Sequence, residues 1–433
     1  MDKYFFDWRT RYRIRDYLRS SFCLIPVSAI VAAIAAAPVI RYIDENTRWS
    51  LIEISPDAAR SVIGTLPSAL LALIVFSLSI LLLAVQMISS QFSPRVIARF
   101  FEDNVLKRIL GIFVFSHTYS IFALGRIEDR VPVLPILVAL TLNLICLAVF
   151  LYMIQLVGRG FRAIKILTGI AADTNQVILT LFPRPYSLET EGKAGESVSL
   201  GTPCRVIRSP GPAGVFVAFD QAGLVELAAK YNCVLELAAA VGEFVAEEQP
   251  LFRVYGAGGA DLDEKRLLRS VALNLERTLE QDPDFGFRMI VDIASKALSP
   301  AINDPTTGVL AIDQLQHLLE QLGNRQLDEG IAKDEAGTVR LIFPFCSWED
   351  FVVLAATEIR QYGGPNPQVT RRLQAMYDHL LMVLPEPRKA AIRREVLLLR
   401  QTVDQCYPNQ QDREIAATAD LQGFGPRRRE IGG

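Results

Sequence analysis

The sequence predicts an α-helical membrane protein: four transmembrane helices joined to a cytoplasmic α+β domain, a small barrel-sandwich-like β unit followed by a helical bundle. Three observations carry that prediction. Of 433 residues, 51% are hydrophobic and 21% charged, and the mean hydropathy is +0.26, whereas soluble domains carry about 25% charge. The apolar excess lies almost wholly before residue 160. Beyond it the period changes, first to short strand-like runs and then to amphipathic helices. The formal charge of −2 gives no basis for a nucleic-acid partner. The six cysteines form no CxxC pair and have no histidine at metal spacing, so they are expected as free thiols, with no cofactor and no metal.

Residues 1–21 read as a basic, aromatic arm in which Arg9, Arg11, Arg13 and Arg15 alternate with Trp8, Tyr12 and Tyr17. That composition suits an interfacial helix on anionic lipid headgroups. The transmembrane domain, 22–158, holds spans at about 22–43, 63–93, 109–125 and 132–157, each long enough for a hydrocarbon core of about 30 Å. Only the short 126–131 turn separates the last two, which makes them an antiparallel hairpin. In the first span Ala29, Ala33 and Ala37 recur every four residues as a packing edge, and in the fourth Asn143 is an isolated polar group suited to interhelical bonding.

Orientation follows from Lys and Arg. The arm has six, the loop between spans two and three adds Arg95, Arg99, Lys107 and Arg108, and the segment after span four adds Arg159, Arg162 and Lys165. The opposite side has five, offset by six acidic residues. Both termini are therefore expected in the cytoplasm, in a multi-pass protein of the bacterial inner membrane.

The second span is overlong. Ile63 to Ser93 is about 46 Å of helix. At 100° per residue Thr65, Ser68, Ala72, Ser79, Gln86, Ser90 and Ser93 fall within one stripe, while leucines and isoleucines occupy the other faces. Such a stripe either lines a hydrated path or forms a close-packing helix seam. Ser93-Pro94 then starts a further amphipathic helix carrying Arg95 and Arg99, either a membrane-surface collar or a plain covering helix. The third span carries Ser116, His117, Tyr119 and Ser120 at mid-depth, where an ionisable group is a functional candidate by default. His117 and Tyr119 are candidates for gating, with a satisfied interhelical histidine as the structural alternative.

After a linker helix and loop (159–195), residues 196–256 read as a small β unit. Its closing run, Gly242 to Val254, resembles lipoyl-type barrel-sandwich strands. The unit's single lysine, Lys230, lies on a helix-like stretch, so no prosthetic group is expected. Residues 261–409 read as helical, beginning with Leu267, Leu268, Val271, Leu275 and Leu279 on one helical face. The next helix carries Asp284, with Arg288 and Asp292 at i, i+4. It closes at a turn containing Ser299, and Asn303 or Asp304 caps the helix that follows, with Pro305 in its first turn. Turn chemistry accounts for that run, with a ligand site as the functional alternative. Later helices are placed at about 347–362, 366–383 and 387–406, and 410–433 reads as a loose tail.

Taken together, the basic aromatic arm, the Ser89-Ser90-Gln91-Phe92-Ser93-Pro94-Arg95 end of span two, and Asp284-Phe285-Gly286-Phe287-Arg288 with the 297–306 run resemble the bacterial predicted-membrane-protein family called domain of unknown function 2254. The resemblance implies an inner-membrane protein of this architecture and carries over no catalytic residues.

Two functions from different classes fit. The leading one is a homo-oligomeric channel or channel-like conduit for an ion or small solute. In it copies of span two surround an axis, because four spans without an internal repeat are too few for a pathway inside one subunit. The alternative is a membrane-anchored sensor or scaffold whose cytoplasmic domain binds a partner. An enzyme ranks third, since no nucleophile–base pair, phosphate loop or metal cluster is visible.

Overall fold

The computed structural model describes residues 7–47, 55–91, 104–125, 132–160, 162–187, 200–209, 211–327 and 330–422. The chain forms two compact units: Ile14–Arg162, and a second that is discontinuous in sequence, Met1–Arg13 with Ala163–Gly433. Helix α1 (Trp8–Ser20) runs across the boundary.

The first unit consists of α2 (Leu24–Thr47), α3 (Pro56–Gln91), α4 (Asn104–Leu124) and α5 (Val133–Gly160). Each is long and apolar enough to cross a membrane. Apolar helices are present at the positions of all four expected spans, two with earlier starts. At 36 residues α3 is about 54 Å long, and Pro67 lies well inside it. Helix α4 begins before its apolar stretch and takes in Lys107, placed in a loop by hydropathy but 2% exposed here.

Helix α4 is the centre of this unit. It has the lowest mean hydropathy of the four, 1.2, yet half of its apolar window is buried. Gly111 brings it against α2, since a Cβ there would lie 2.9 Å from Ile25 Cγ2. The alanine edge of α2 is used as expected, with Ala33 and Ala37 buried against Ile63, Tyr119 and Ile136. Ser116 of α4 meets Cys146 of α5 and Tyr119 meets Pro135, the opposed register of antiparallel neighbours. The turn between them lies outside the described residues. Asp44, at the end of α2, accepts the Leu134 N–H at 2.9 Å and so occupies one of the open donors of α5's first turn.

The second unit combines sheets and helices. Helix α6 (Ala163–Leu181) is followed by β1 (Arg205–Arg208), β2 (Gly214–Phe219), α7 (Gln221–Lys230), β3 (Val234–Leu237), β4 (Phe244–Val245) and β5 (Pro250–Tyr255). Then come α8 (Glu264–Leu268), β6 (Val271–Asn274), α9 (Pro283–Ala297), α10 (Pro305–Gly323), β7 (Ile331–Lys333) and β8 (Val339–Ile342). The chain closes with α11 (Trp348–Gly363), α12 (Pro367–Val383), α13 (Lys389–Cys406) and α14 (Gln410–Ala417). One sheet has the order β1-β5-β3-β8-β7, the other β4-β2-β6. All pairings are antiparallel except β3 with β8.

Four expectations are corrected. The helix expected from Leu267 to Leu279 ends at Leu268. Val271–Asn274 instead pairs with β2, whose N–H and C=O groups need a ladder partner, and Leu275 is 87% exposed. Beyond that strand Gln281 continues the pairing with its side chain: its amide donates to Phe219 O at 3.1 Å and accepts from Phe219 N at 3.0 Å. Secondly, the β unit is not self-contained within 196–256, because β6, β7 and β8 come from the stretch read as helical. Thirdly, α6 is more than a linker. Thr174 is fully buried against α9, where a Cβ on Gly286 would lie 2.6 Å from Thr174 Cγ2.

Lastly, 410–422 is not loose. Asn409 caps α14, Ala416 O accepts from Thr370 Oγ1 at 2.9 Å, and Asp420 pairs with Arg371 at 3.0 Å. Residues 423–433 lie outside the described set. The three later helices match the sequence boundaries to within two residues.

The arm also has a protein partner. Trp8 and Tyr12 stack on one another and pack against Val215, Val217, Ala218 and Ala272 of the three-stranded sheet. Asp7 reaches Arg269 at 3.7 Å, and the Tyr12 hydroxyl lies 3.4 Å from Thr278 Oγ1. Farther along α1, Ile14, Tyr17 and Leu18 are exposed at i, i+3, i+4.

Candidate functional site

Helix α3 divides into two faces. Ala59, Ile63, Leu66, Leu70, Ser77, Leu81, Ala84 and Ile88 are buried. Thr65, Ser68, Ala72, Ser79 and Gln86 are all exposed. The small and polar stripe is therefore not the seam by which α3 packs against the described residues of its own chain; that seam is apolar apart from Ser77 and relies on shape.

Two of the stripe hydroxyls are bonded locally, Thr65 to Val62 O at 2.8 Å and Ser79 to Val75 O at 2.9 Å. A hydroxyl bonded to its own helix tolerates an apolar surrounding. Gln86 is different, because no protein group among the described residues bonds its carboxamide. A shallow groove of about 510 Å³ runs along this face, lined by Ser68, Leu71, Ala72, Val75, Phe76 and Ser79. The side chain of Ser90, and all of Ser93, Arg95 and Arg99, with the amphipathic helix expected there, lie outside the described residues.

The polar residues of α4 face the opposite way, into the unit. His117 Nδ1 lies 3.1 Å from Pro67 O; a carbonyl only accepts, so Nδ1 carries the proton of this bond. Tyr119 is 1% exposed and donates to Pro135 O at 3.4 Å. Ser116 donates to Ile112 O at 2.8 Å and accepts from Cys146 Sγ at 3.1 Å, while Ser120 donates to Ser116 O at 2.8 Å. These groups join helices α3, α4 and α5 to one another, as interhelical bonding does in membrane bundles.

The 281–304 motif resolves into separate structural devices. Asp282 caps α9 by accepting Phe285 N–H at 3.0 Å, and Arg277 grips it with two bonds of 2.8 Å while reaching Asp284 Oδ2 at 2.8 Å. Asp282 is 1% exposed; burial and then Asp284 push its carboxyl up, against the pull of Arg277. The Arg277 guanidinium also lies 5.2 Å from the centre of the Phe285 ring and covers Gly242, where a Cβ would sit 2.6 Å from Cζ. Burial, followed by Asp284, Asp350 and Asp282, pushes the neighbouring Cys346 thiol up to about 12, so it is a poor nucleophile at neutral pH.

Arg288 and Asp292 pair at 2.7 Å as their spacing predicts, and Arg288 adds a bidentate grip on Glu358 of α11 at 2.5 and 2.7 Å. That grip holds Arg288 above and Glu358 below their ordinary ranges. Ser299 donates to Lys296 O at 2.7 Å, Asn303 takes the left-handed conformation with φ +51°, and Asp304 caps α10 through Thr307 N at 3.1 Å. Of the two capping residues left open by sequence, Asp304 is the one used.

Asp284, Arg288 and Asp304 thus serve three different contacts and do not converge. Among the described residues no three His, Cys, Asp or Glu side chains gather as a metal site. Sequence reasoning missed Arg277, Asp44 and Glu358, whose partners are distant or lie across a turn that no periodicity reports.

Residues 19–379 match the family described as predicted membrane protein, domain of unknown function 2254. An uncharacterized protein of Mycobacterium bovis and one of Mycobacterium tuberculosis are each 25% identical to the chain over 427 residues, covering 94% of it and 81% of their own length. No solved structure matches.

Proposed function

Since the chain belongs to the predicted membrane protein family called domain of unknown function 2254, we propose that it is a homo-oligomeric conduit of the bacterial inner membrane, with copies of α3 around the assembly axis. The observation that carries this is the exposed Thr65–Gln86 stripe. It is a polar face on a helix long and apolar enough to span, and the described residues of its own chain leave that face uncovered. In hydrocarbon an unbonded carboxamide such as Gln86 costs several kcal/mol, which favours a neighbouring copy or water opposite it. The proposed cargo is an ion or small solute, and the α+β unit is assigned a regulatory or vestibule role with no catalytic step.

The proposal places both termini in the cytoplasm, and the arm supports that parity. Trp8 and Tyr12 touch the sheet of the second unit, so the arm and that unit share one side, as an even number of crossings requires. The excess of Lys and Arg selects the cytoplasmic side. The exposed Ile14, Tyr17 and Leu18, among arginines, suit contact with anionic headgroups.

Purified full-length protein tests the reading by its oligomeric state in detergent and by planar-bilayer conductance. Wild type is expected to be oligomeric and conducting, and Gln86→Leu and Ser79→Leu to change unitary conductance. A monomer, no conductance, or conductance indifferent to both changes refutes the conduit and leaves the anchored sensor or scaffold.

A further inference from the structure

The core of the first unit is divided at one level. Among the described residues its buried apolar side chains form two separate clusters. On α3 the division falls between Leu66 and Leu70, on α4 between Phe113 and Tyr119, and on α5 between Ala139 and Cys146. Polar bonds lie at that level: Ser116 meets Cys146, and His117 Nδ1–H donates to Pro67 O at 3.1 Å. Pro67 is also where the α3 ladder is incomplete. It has no N–H, so Ile63 O loses its helical donor. The Thr65 hydroxyl, in the same turn, donates to Val62 O at 2.8 Å and does not replace it. Sharp helix bends occur chiefly at such points, and in membrane bundles a neighbouring helix holds the weakened turn. Here the holding group is His117.

We infer that α3 is hinged at Pro67 and that the His117–Pro67 bond is the latch that fixes the angle between its two halves. The latch ties a side chain of α4 to the turn of α3 that lacks its full set of backbone bonds, so losing it frees a bend and not only a contact. Leverage follows from length. Pro67 to Gln86 is about 28 Å of helix, and a change of about 10° at the hinge carries Gln86 by about 5 Å. That displacement moves the Ser79–Gln86 part of the exposed stripe relative to α4 and α5. Resting on the conduit reading, the hinge is then its gate, because the bend sets how closely the stripes of neighbouring copies approach.

Distances between spin labels in the full-length protein test the hinge whether or not it conducts. Labels are placed on Leu83→Cys of α3 and Leu151→Cys of α5, both exposed. Cys23, Cys204, Cys346 and Cys406 are replaced by serine, and labelled chains are diluted into unlabelled ones. The latched protein is expected to give one narrow distribution. His117→Phe keeps a ring without a donor and should shift or broaden it by about 3–5 Å. His117→Asn, whose amide nitrogen stands where Nδ1 does, should leave it narrow. Pro67→Ala returns an N–H to Ile63 O, so adding it to His117→Phe should restore the narrow distribution. No change in His117→Phe, or a broadening that survives Pro67→Ala, overturns the inference. In planar bilayers His117→Phe should shift open probability at unchanged unitary conductance, and an unmoved open probability overturns the gating role. A non-conducting protein with the expected distances refutes the conduit and leaves the hinge standing.

Discussion

Gly286 offers a sharp test of the packing between α6 and α9. In an ordinary helix interior, Gly→Ala stabilises by about 1 kcal/mol. Here the added methyl would lie 2.6 Å from Thr174 Cγ2 and 2.8 Å from Thr174 Cβ. The second of these atoms is fixed to the α6 backbone, so rotating the threonine does not relieve the clash and the helices must separate. Overpacking of this kind costs about 1–3 kcal/mol, enough to outweigh the propensity gain. At about 2–4 °C per kcal/mol for a unit of this size, Gly286→Ala should lower the unfolding midpoint by several degrees. Thr174→Gly should be destabilising alone yet restore part of the loss in the double variant, with a coupling of about 1 kcal/mol or more. Thermal unfolding of the full chain and both single and double variants measures the cycle. A Gly286→Ala protein more stable than wild type, or additive effects, refutes the close approach.

Two further outcomes follow from named contacts. Asp44→Ala removes the acceptor for the Leu134 N–H and should cost about 1 kcal/mol, read as a lowered midpoint in detergent; no change would mean that water replaces the cap. The depressed Glu358 carboxyl makes the Arg288 pairing acid-labile. Its contribution is complete above the ordinary carboxylate range and is lost as pH falls through the lower folded-state value. Glu358→Gln should therefore flatten the acid limb of the stability profile and cost about 0.5–1 kcal/mol at neutral pH for a partly exposed pair. An unchanged acid limb would count against that role.

The four apolar helices were legible because hydropathy reports a solvent, and the later bundle because its amphipathic period persists over full helices. What hydropathy does not report is which neighbour each apolar helix packs against. Lys107 reads as loop by charge, yet it is buried in the first turn of α4. The 264–281 stretch reads as one helix because Leu267, Val271, Leu275 and Leu279 keep a four-residue step. The open edge of β2 instead recruits Val271–Asn274, a long-range demand invisible in a local window. In the candidate site the spacing placed the α3 stripe on one face, but only the structure shows that the described residues bury the opposite face and leave this one exposed. The 281–304 run was legible as turn chemistry, whereas the Arg277 grip on Asp282 and Asp284 was not, since nothing in the spacing marks that arginine.

The seating of Trp8 and Tyr12 on the three-stranded sheet has a consequence for synthesis. The arm leaves the ribosome before its partner Val217, which follows about 200 residues later, after all four apolar helices have been made. The α+β unit therefore cannot complete its fold during translation until the whole intervening segment has been made. A fragment beginning at Ala163 lacks the piece that covers Val217, Ala218 and Ala272, and a peptide spanning residues 7–20 supplied in trans is the complement it needs.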